Sequence, residues 1–252
     1  MLTLQNITKV FPFTSEPILK SVSLQLNEGE FTVLIGGNGS GKSTLLKIIQ
    51  GEYKPEEGEI FLNKANITLN SLTQRARDIS VVSQDVHSGT VKELTLLENL
   101  ALGLMRGDKA NFVSLSKKRE ECILLIKELN LGLEKYLDSP IMNLSGGQKQ
   151  MLAFVIATAL LPKILLLDEP CSALDPKTSK FLMEFAEKKI RENKLTSLMV
   201  THSLSDALQY GDRLVMLKEG KIIFDVSGHE KKNLTLQNLL DLYHQREDSS
   251  LL

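Results

Sequence analysis

The sequence predicts an α/β protein with a mixed sheet core, and three observations predict it. A glycine-rich stretch, Gly36-Gly37-Asn38-Gly39-Ser40-Gly41-Lys42-Ser43-Thr44, lies between a strand-like run, Phe31 to Ile35, and a helix-like one, Leu45 to Ile49. Short, wholly apolar runs at Ile164 to Leu167 and Leu195 to Val200 read as strands buried on both faces. Between Asp85 and about Leu144 no such run occurs, and the texture is helical, so this stretch is expected as a helical insertion between two strands of the core.

The chain has 252 residues, 42% of them hydrophobic and 24% charged, enough to bury a large core as one domain or two closely joined lobes. Its formal net charge of −1 supplies no basic field for nucleic acid or anionic lipid, so no nucleic-acid partner is expected and any membrane association should come through a protein. The two cysteines, Cys122 and Cys171, have no metal-ligand spacing and fit small buried side chains in a reducing compartment. Met1 to Val10 alternates apolar and polar residues, so no secretory signal is expected there. The longest apolar run, Met151 to Leu161, is too short for a bilayer span and reads as a core helix stopped by Pro162.

Taken in order, Leu2 and Leu4, then Val22, Leu24 and Leu26, alternate with polar residues and predict a small antiparallel layer. Phe11-Pro12-Phe13 follows the first of these strands. An aromatic ring there would stack on a nucleotide base; Phe11 is the choice and Phe13 the reserve, with a core aromatic as the alternative.

The stretch Gly36 to Thr44 fits the phosphate-binding pattern G-x-x-x-x-G-K-[ST]. Its glycines let backbone N–H groups turn inward on phosphate oxygens, where a Cβ would obstruct. Lys42 is placed to reach the β- and γ-phosphates, Ser43 to offer a hydroxyl to Mg²⁺, and the helix beginning near Gly41 presents its positive end to the anion. A bound nucleoside triphosphate is the expectation. Gly51 should cap that helix, and Pro55 to Gly58 should turn into a strand around Glu59 to Leu62. Asn63-Lys64-Ala65-Asn66 lacks the fourth-position carboxylate of the guanine-reading N-K-x-D motif, so a hairpin turn is expected there instead.

Gln84 stands at the end of another strand, Ile79 to Ser83, where its amide would touch Mg²⁺ or the attacking water. Within the helical insertion, Cys122, Ile126 and Leu129 form an apolar stripe, Gly107-Asp108-Lys109 marks a loop, and Ser139-Pro140 marks the exit. In Leu144-Ser145-Gly146-Gly147-Gln148, Ser145 can cap the next helix while two glycines leave backbone N–H groups uncovered, a second anion-binding helix start.

Asp168-Glu169 closes a buried strand at the end where α/β sheets bind ligands. Asp168 would hold Mg²⁺ through water, and Glu169 would orient or deprotonate the water attacking the γ-phosphate. Ser172 to Pro176, with Asp175, starts a further helix, and His202 ends the next strand, positioned for a γ-phosphate contact. A hairpin around Glu219-Gly220, a short amphipathic helix from Thr235 to Tyr243 and a polar tail complete the chain.

With these residues assembled, the chain resembles the ATP-binding subunit of ABC transporters over nearly its entire length. Gly36 to Thr44 matches that family's Walker A, Gln84 its Q-loop, Leu144 to Gln148 its signature, Ile164 to Glu169 its Walker B with the catalytic Glu, Ser172 to Asp175 its D-loop, and His202 its switch histidine. Phe11 falls where the family's base-stacking aromatic is found. The resemblance implies a P-loop NTPase of the ABC ATPase fold, one domain with a RecA-like core at about 1–84 and 160–243, a helical subdomain at about 85–159 and a tail at about 244–252.

It also implies ATP and Mg²⁺ as cofactors, with each ATP held between the Walker A of one copy and the signature of a second. Ser145, Gly147 and Gln148 would contact the γ-phosphate in trans, and hydrolysis would let the pair separate. A membrane-spanning permease would dock on the helical segment with Gln84 as hinge, and an extracytoplasmic solute-binding protein would belong to the same system. The implied location is cytoplasmic, on the inner face of the cell membrane. Two departures stand out: Gly37 replaces the more usual Pro or Ser, and Met151 to Leu161 lacks the arginines common after the signature.

Ile35 to Asn38, Ser88 to Thr90 and Val226 to Thr235 are further similar to importer ATPase subunits for aromatic amino acids, tryptophan and tyrosine. The rival reading, a soluble ABC-type ATPase acting on nucleic acid, is disfavoured because no long coiled-coil insertion, second cassette or basic surface occurs in the sequence. A P-loop kinase or GTPase is disfavoured by the signature and the missing guanine motif.

Overall fold

The computed structural model describes residues 1–12, 15–85, 89–106 and 115–244. The predicted Phe13, Ser88, the loop at Gly107 to Lys109 and the tail from Gln245 lie outside the described residues. In chain order the strands and helices begin with β1 (Leu2–Lys9), β2 (Leu19–Leu26), β3 (Phe31–Ile35), α1 (Lys42–Gln50), β4 (Glu57–Leu62), β5 (Ala65–Asn66), α2 (Leu72–Arg75) and β6 (Ile79–Val82). The insertion follows as α3 (Leu96–Leu104) and α4 (Leu115–Lys127), with 3₁₀ turns at Leu133–Tyr136 and Ile141–Asn143. Then come α5 (Gly146–Thr158), β7 (Ile164–Asp168), α6 (Pro176–Glu192), β8 (Thr196–Val200), α7 (Leu204–Gln209), β9 (Arg213–Lys218), β10 (Lys221–Ser227), α8 (Gly228–Lys232) and α9 (Leu236–His244).

Two sheets form. The smaller, in the order β2-β1-β4-β5, is the expected antiparallel layer. Its β4–β5 turn consists of Asn63 and Lys64, at φ 47° and 70°, the two left-handed residues that suit a hairpin joined by two residues. The larger runs β10-β9-β3-β8-β7-β6, parallel throughout except for the antiparallel edge strand β10.

The uniformly apolar strands of the larger sheet have both faces covered. In β7, Leu165 and Leu167 enter the core beneath the helices, while Ile164 and Leu166 enter the core shared with the smaller sheet. In β3 the same division puts Phe31, Val33 and Ile35 on the helix side and Leu34 on the other. Helix α1 contributes Leu45, Leu46, Ile48 and Ile49 to the core shared with the smaller sheet; the insertion helices and α6 contribute to the opposite one, including Cys122 and Ile126 of the expected stripe, with Leu129 joining from the turn after α4.

The apolar stretch Met151 to Leu161 is corrected in its bounds. The helix starts earlier, at Gly146, because Ser145 caps it, and it stops at Thr158; Leu161, with φ 45°, lies outside. Helices α2, α7 and α8 are four to six residues long and carry no hydrophobic period that the sequence would reveal.

Strand order now places the chemistry. Strands β3, β8, β7 and β6 are consecutive neighbours, and their carboxyl ends lead into the Gly36 loop, Thr201-His202, Asp168-Glu169 and Ser83-Gln84 respectively. Four loops distant in sequence therefore meet at one edge of a parallel sheet, where α/β folds bind ligands.

Candidate nucleotide site

The glycine loop owes its shape to specific collisions. A Cβ on Gly36 would lie 2.1 Å from the Leu217 carbonyl oxygen, and one on Gly41, at φ +106°, would lie 2.7 Å from Leu19 Cδ2. Gly39 has open space but φ +76°, a conformation that disfavours a side chain. Gly37 needs neither: nothing lies within 4 Å of its Cβ position and its φ is not positive. Within the protein itself a Cβ is therefore excluded by collision at Gly36 and Gly41 and disfavoured by backbone conformation at Gly39, while the departure at Gly37 meets no protein atom.

Helix α1 begins at Lys42 with Gly41 as its cap, with no side-chain capping bond and no acid in its first turn. By contrast α2, α3, α5, α6 and α7 are each capped by a Ser, Thr or Asp oxygen. The first N–H groups of α1 are therefore left for an external acceptor. Lys42 is buried, and its Nζ donates to the carbonyls of Gly36 at 2.8 Å and Gly37 at 3.0 Å. Burial holds its ammonium below the ordinary lysine range, an effect the Glu169 and Asp168 carboxylates oppose. The hydrogen bonds of this ammonium go to loop carbonyls, and phosphate oxygens would make stronger, charge-assisted acceptors.

A cavity of about 520 Å³ opens over this helix start. Asn38, Gly39, Gly41, Lys42, Ser43 and Thr44 line it together with Gln84, Glu169 and His202, so the structure brings together residues that the sequence separates by more than a hundred positions. Phe11 also lines it, packed edge-to-face on Tyr53 at 5.3 Å between ring centroids, with the Lys9 ammonium 5.2 Å from its ring centre. Ile18 completes the wall and was not anticipated; it carries no polar signal by which sequence reasoning would have found it. Gly36 and Ser40 shape the loop without lining the cavity, and the Ser40 hydroxyl is buried without a partner.

Glu169 follows β7 in the left-handed region, φ 47°, which costs a non-glycine residue about 1–3 kcal/mol. Its backbone is held there by Glu169 N–H on the Val200 carbonyl at 3.0 Å and by Ser172 N–H on the Glu169 carbonyl at 3.1 Å. The His202 Nε2 lies 2.6 Å from Glu169 Oε1. His202 is itself fixed by the buried Thr201, whose N–H bonds the Leu34 carbonyl of β3 and whose Oγ1 accepts from Ser203 N–H. Thus the imidazole expected near the γ-phosphate is joined to the expected base. Asp168 does not line the cavity. Burial first and the Glu169 charge second hold its carboxyl above the ordinary carboxylate range, while Lys42 pulls it down.

The signature residues stand elsewhere. Ser145 caps α5 in a reciprocal box: its Oγ accepts from Gln148 N–H at 3.3 Å, and Gln148 Oε1 accepts from Ser145 N–H at 2.9 Å. Leu144 is buried, Ser145 and Gly146 are exposed, and a Cβ on Gly147 would lie 2.5 Å from Thr178 Cγ2 in the first turn of α6. Asp175 caps that same turn, accepting from Lys177 and Thr178 N–H at 3.1 Å. The starts of α5 and α6 therefore form one surface, and none of Leu144, Ser145, Gly146, Gly147, Gln148 or Asp175 lines the nucleotide cavity.

The family model described as ABC transporter matches residues 19–172 of this chain. A tyrosine transport ATP-binding protein of Clostridioides difficile is 43% identical over 96% of this chain and 98% of its own length. A phosphonates import ATP-binding protein of Hydrogenovibrio crunogenus is 32% identical over 98% of this chain and 91% of its own. Among solved structures, a dimeric ATP-binding cassette in a post-hydrolysis state, bound to ADP and Pi, superposes with a TM-score of 0.78 at 35% identity, covering 90% of this chain and 98% of that one.

Proposed function

Because the chain belongs to the ABC transporter family as an ATP-binding subunit, an ATPase that powers import of a small solute, we propose how its residues divide the work. The observation that carries the reading is the half-built site: Lys42, Ser43, Gln84, Glu169 and His202 share one cavity, and the signature helix start stands apart from it.

In this reading the uncapped N–H groups of α1 and Lys42 hold the phosphates, and Phe11 takes the base. Ser43 and Gln84 would supply oxygen ligands for Mg²⁺ and Asp168 would hold it through water; the ion when bound neutralises phosphate charge. Among the described residues no group of three or more His, Cys, Asp or Glu side chains forms a metal cage, so the fit is to an ion that arrives with the phosphates. Glu169 orients the attacking water and accepts its proton, and His202 fixes the carboxylate through Oε1. A second copy presents Ser145, Gly147 and Gln148 to the γ-phosphate, with Asp175 beside them at the interface.

The division into a core at about 1–84 and 160–243 and a helical part at about 85–159 makes Gln84 the hinge. A cleft of about 240 Å³ beside it, lined by Leu72, Ser83, Gly89 and Ile156 among others, suits a docking permease. No helix among the described residues is long and apolar enough to cross a membrane. In this reading the permease holds the chain on the inner face of the cell membrane. An extracytoplasmic solute-binding protein completes the system, and the 43% relative favours an aromatic amino acid as the solute.

Glu169→Gln tests this. It should keep ATP affinity within about twofold, lose at least about 10²-fold in kcat, and sediment as a dimer with MgATP. Steady-state turnover near wild type would remove Glu169 from the role of base, and a lone protomer at saturating MgATP would refute the shared site.

A further inference from the structure

Helix α5 is apolar along most of its buried face, yet Gln150, only 1% exposed, sits in its second turn. Its Nε2 donates to the Ser83 carbonyl at 3.1 Å, 67 positions away in sequence, while its Oε1 is buried with no partner. The reverse amide orientation would set two acceptors against each other at Ser83, so this is the orientation that pairs. One turn along α5, Ala153 lies 3.6 Å from the Cβ position of Gly89. The same helix face thus meets Ser83, which directly precedes Gln84, and Gly89, and Gln84 lines the nucleotide cavity.

A buried amide with an orphaned acceptor is a poor core residue, since a methionine of similar length fills the space and leaves nothing unpaired but the Ser83 carbonyl. We infer that Gln150 is a positioning residue for ATP hydrolysis: from the signature helix it holds the backbone at Ser83, which sets Gln84 in the cavity. The helix start offered to the second copy is thereby tied, about one turn from its first residue, to the loop that touches the chain's own nucleotide. The inference rests on the role of Gln84 proposed above.

The experiment compares full-length wild type and Gln150→Met, with Gln150→Leu as the second variant should Met fold poorly. Hydrogen exchange without nucleotide should be several-fold faster at the amides of Ser83 to Asp85. In ATPase assays kcat should fall about fivefold, the factor one net hydrogen bond corresponds to, with KM for ATP within about twofold and an unfolding midpoint equal to or above wild type. Unchanged exchange overturns the tie. A kcat within twofold of wild type overturns the positioning role, as does a lowered midpoint with activity lost only in proportion to folded protein. A wild type without ATPase activity would overturn the functional reading instead, and the exchange comparison, made without nucleotide, would still decide the tie.

Discussion

Gly36→Ala and Gly37→Ala place the same methyl group on adjacent residues of the phosphate loop and should give opposite results. At Gly36 the new Cβ would stand 2.1 Å from the Leu217 carbonyl oxygen and 2.8 Å from Ser40 Oγ. Ordinary contact begins near 3.4 Å, so the loop or the carbonyl must retreat by more than about 1 Å. Leu217 belongs to β9, paired with β10 and neighbour to β3, so the sheet resists and the loop moves. Overpacking of this kind costs about 1–3 kcal/mol, and the upper end applies because the obstacle is backbone. If the loss falls on the phosphate-binding conformation, ATP affinity drops by about 100-fold. At Gly37 there is nothing within 4 Å, and the effect should stay inside the roughly 0.5 kcal/mol typical of surface changes, about twofold in affinity. Calorimetric titration of each variant with MgATP, alongside circular dichroism to confirm folding, separates the two. Equal losses in both variants, or a folded Gly36→Ala within threefold of wild type, would refute the steric account of the loop.

Arg75 is 3% exposed and donates to the carbonyls of Ile48, Ile49, Ile67, Thr68 and Asn70, at 2.5–3.1 Å, closing the carboxyl end of α1; burial pushes its guanidinium down to about 10. Arg75→Met should destabilise the chain by about 3 kcal/mol in denaturant melts, because the Ile48 and Ile67 carbonyls keep backbone donors while the other three lose theirs; a loss under about 1 kcal/mol would contradict it. Asp212 accepts from Phe31 N–H at 3.0 Å and Arg191 at 2.6 Å; burial raises its carboxyl, but these bonds outweigh it and the net value lies below the ordinary 3.8. A depressed acid stabilises above its unfolded value, so the gap between wild type and Asp212→Asn, about 1 kcal/mol for so exposed a pair, should be full at neutral pH and close as pH falls through and below 3.8. A gap that stays constant to pH 2 would be the contrary result. Ser145→Arg should abolish the MgATP dimer of the Glu169→Gln form while leaving a single chain's ATP affinity unchanged, which sedimentation and titration read separately.

What the sequence disclosed is what local chemistry writes into consecutive residues. The capping role of Ser145, the Gly51 stop, at φ 87°, and the Asn63-Lys64 turn depend on neighbours within four positions. The run at Ile164 to Leu167 is apolar because both faces of its sheet are covered, and that too shows in one dimension. Arg75, Gln150 and Lys231 escaped because each is a buried polar side chain whose partners are backbone carbonyls 27, 67 and 21 positions away. Any residue type offers a carbonyl, so no partner pattern exists in the sequence to be found. Lys231, 4% exposed, closes the carboxyl end of α7 through Leu208, Tyr210 and Gly211 in this way, as Arg75 closes α1.

The two helix starts that carry the anion-binding motifs are built differently, and the difference orders the events. Helix α1 has no side-chain cap, so its first N–H groups depend on an outside acceptor, and Lys42 beside them donates to loop carbonyls. Helix α5 satisfies itself: Ser145 and Gln148 exchange two hydrogen bonds, leaving the N–H groups of Gly146 and Gly147 as the donors without an intrahelical acceptor, at an end exposed to water. In the proposed reading the first is a site that a single chain can fill, and the second meets phosphate only when a partner brings one already bound. Nucleotide should therefore bind the cavity at α1 before two chains close, and a substitution at Ser145 should leave that first step untouched, which is why Ser145→Arg separates binding from pairing where Lys42→Ala would abolish both.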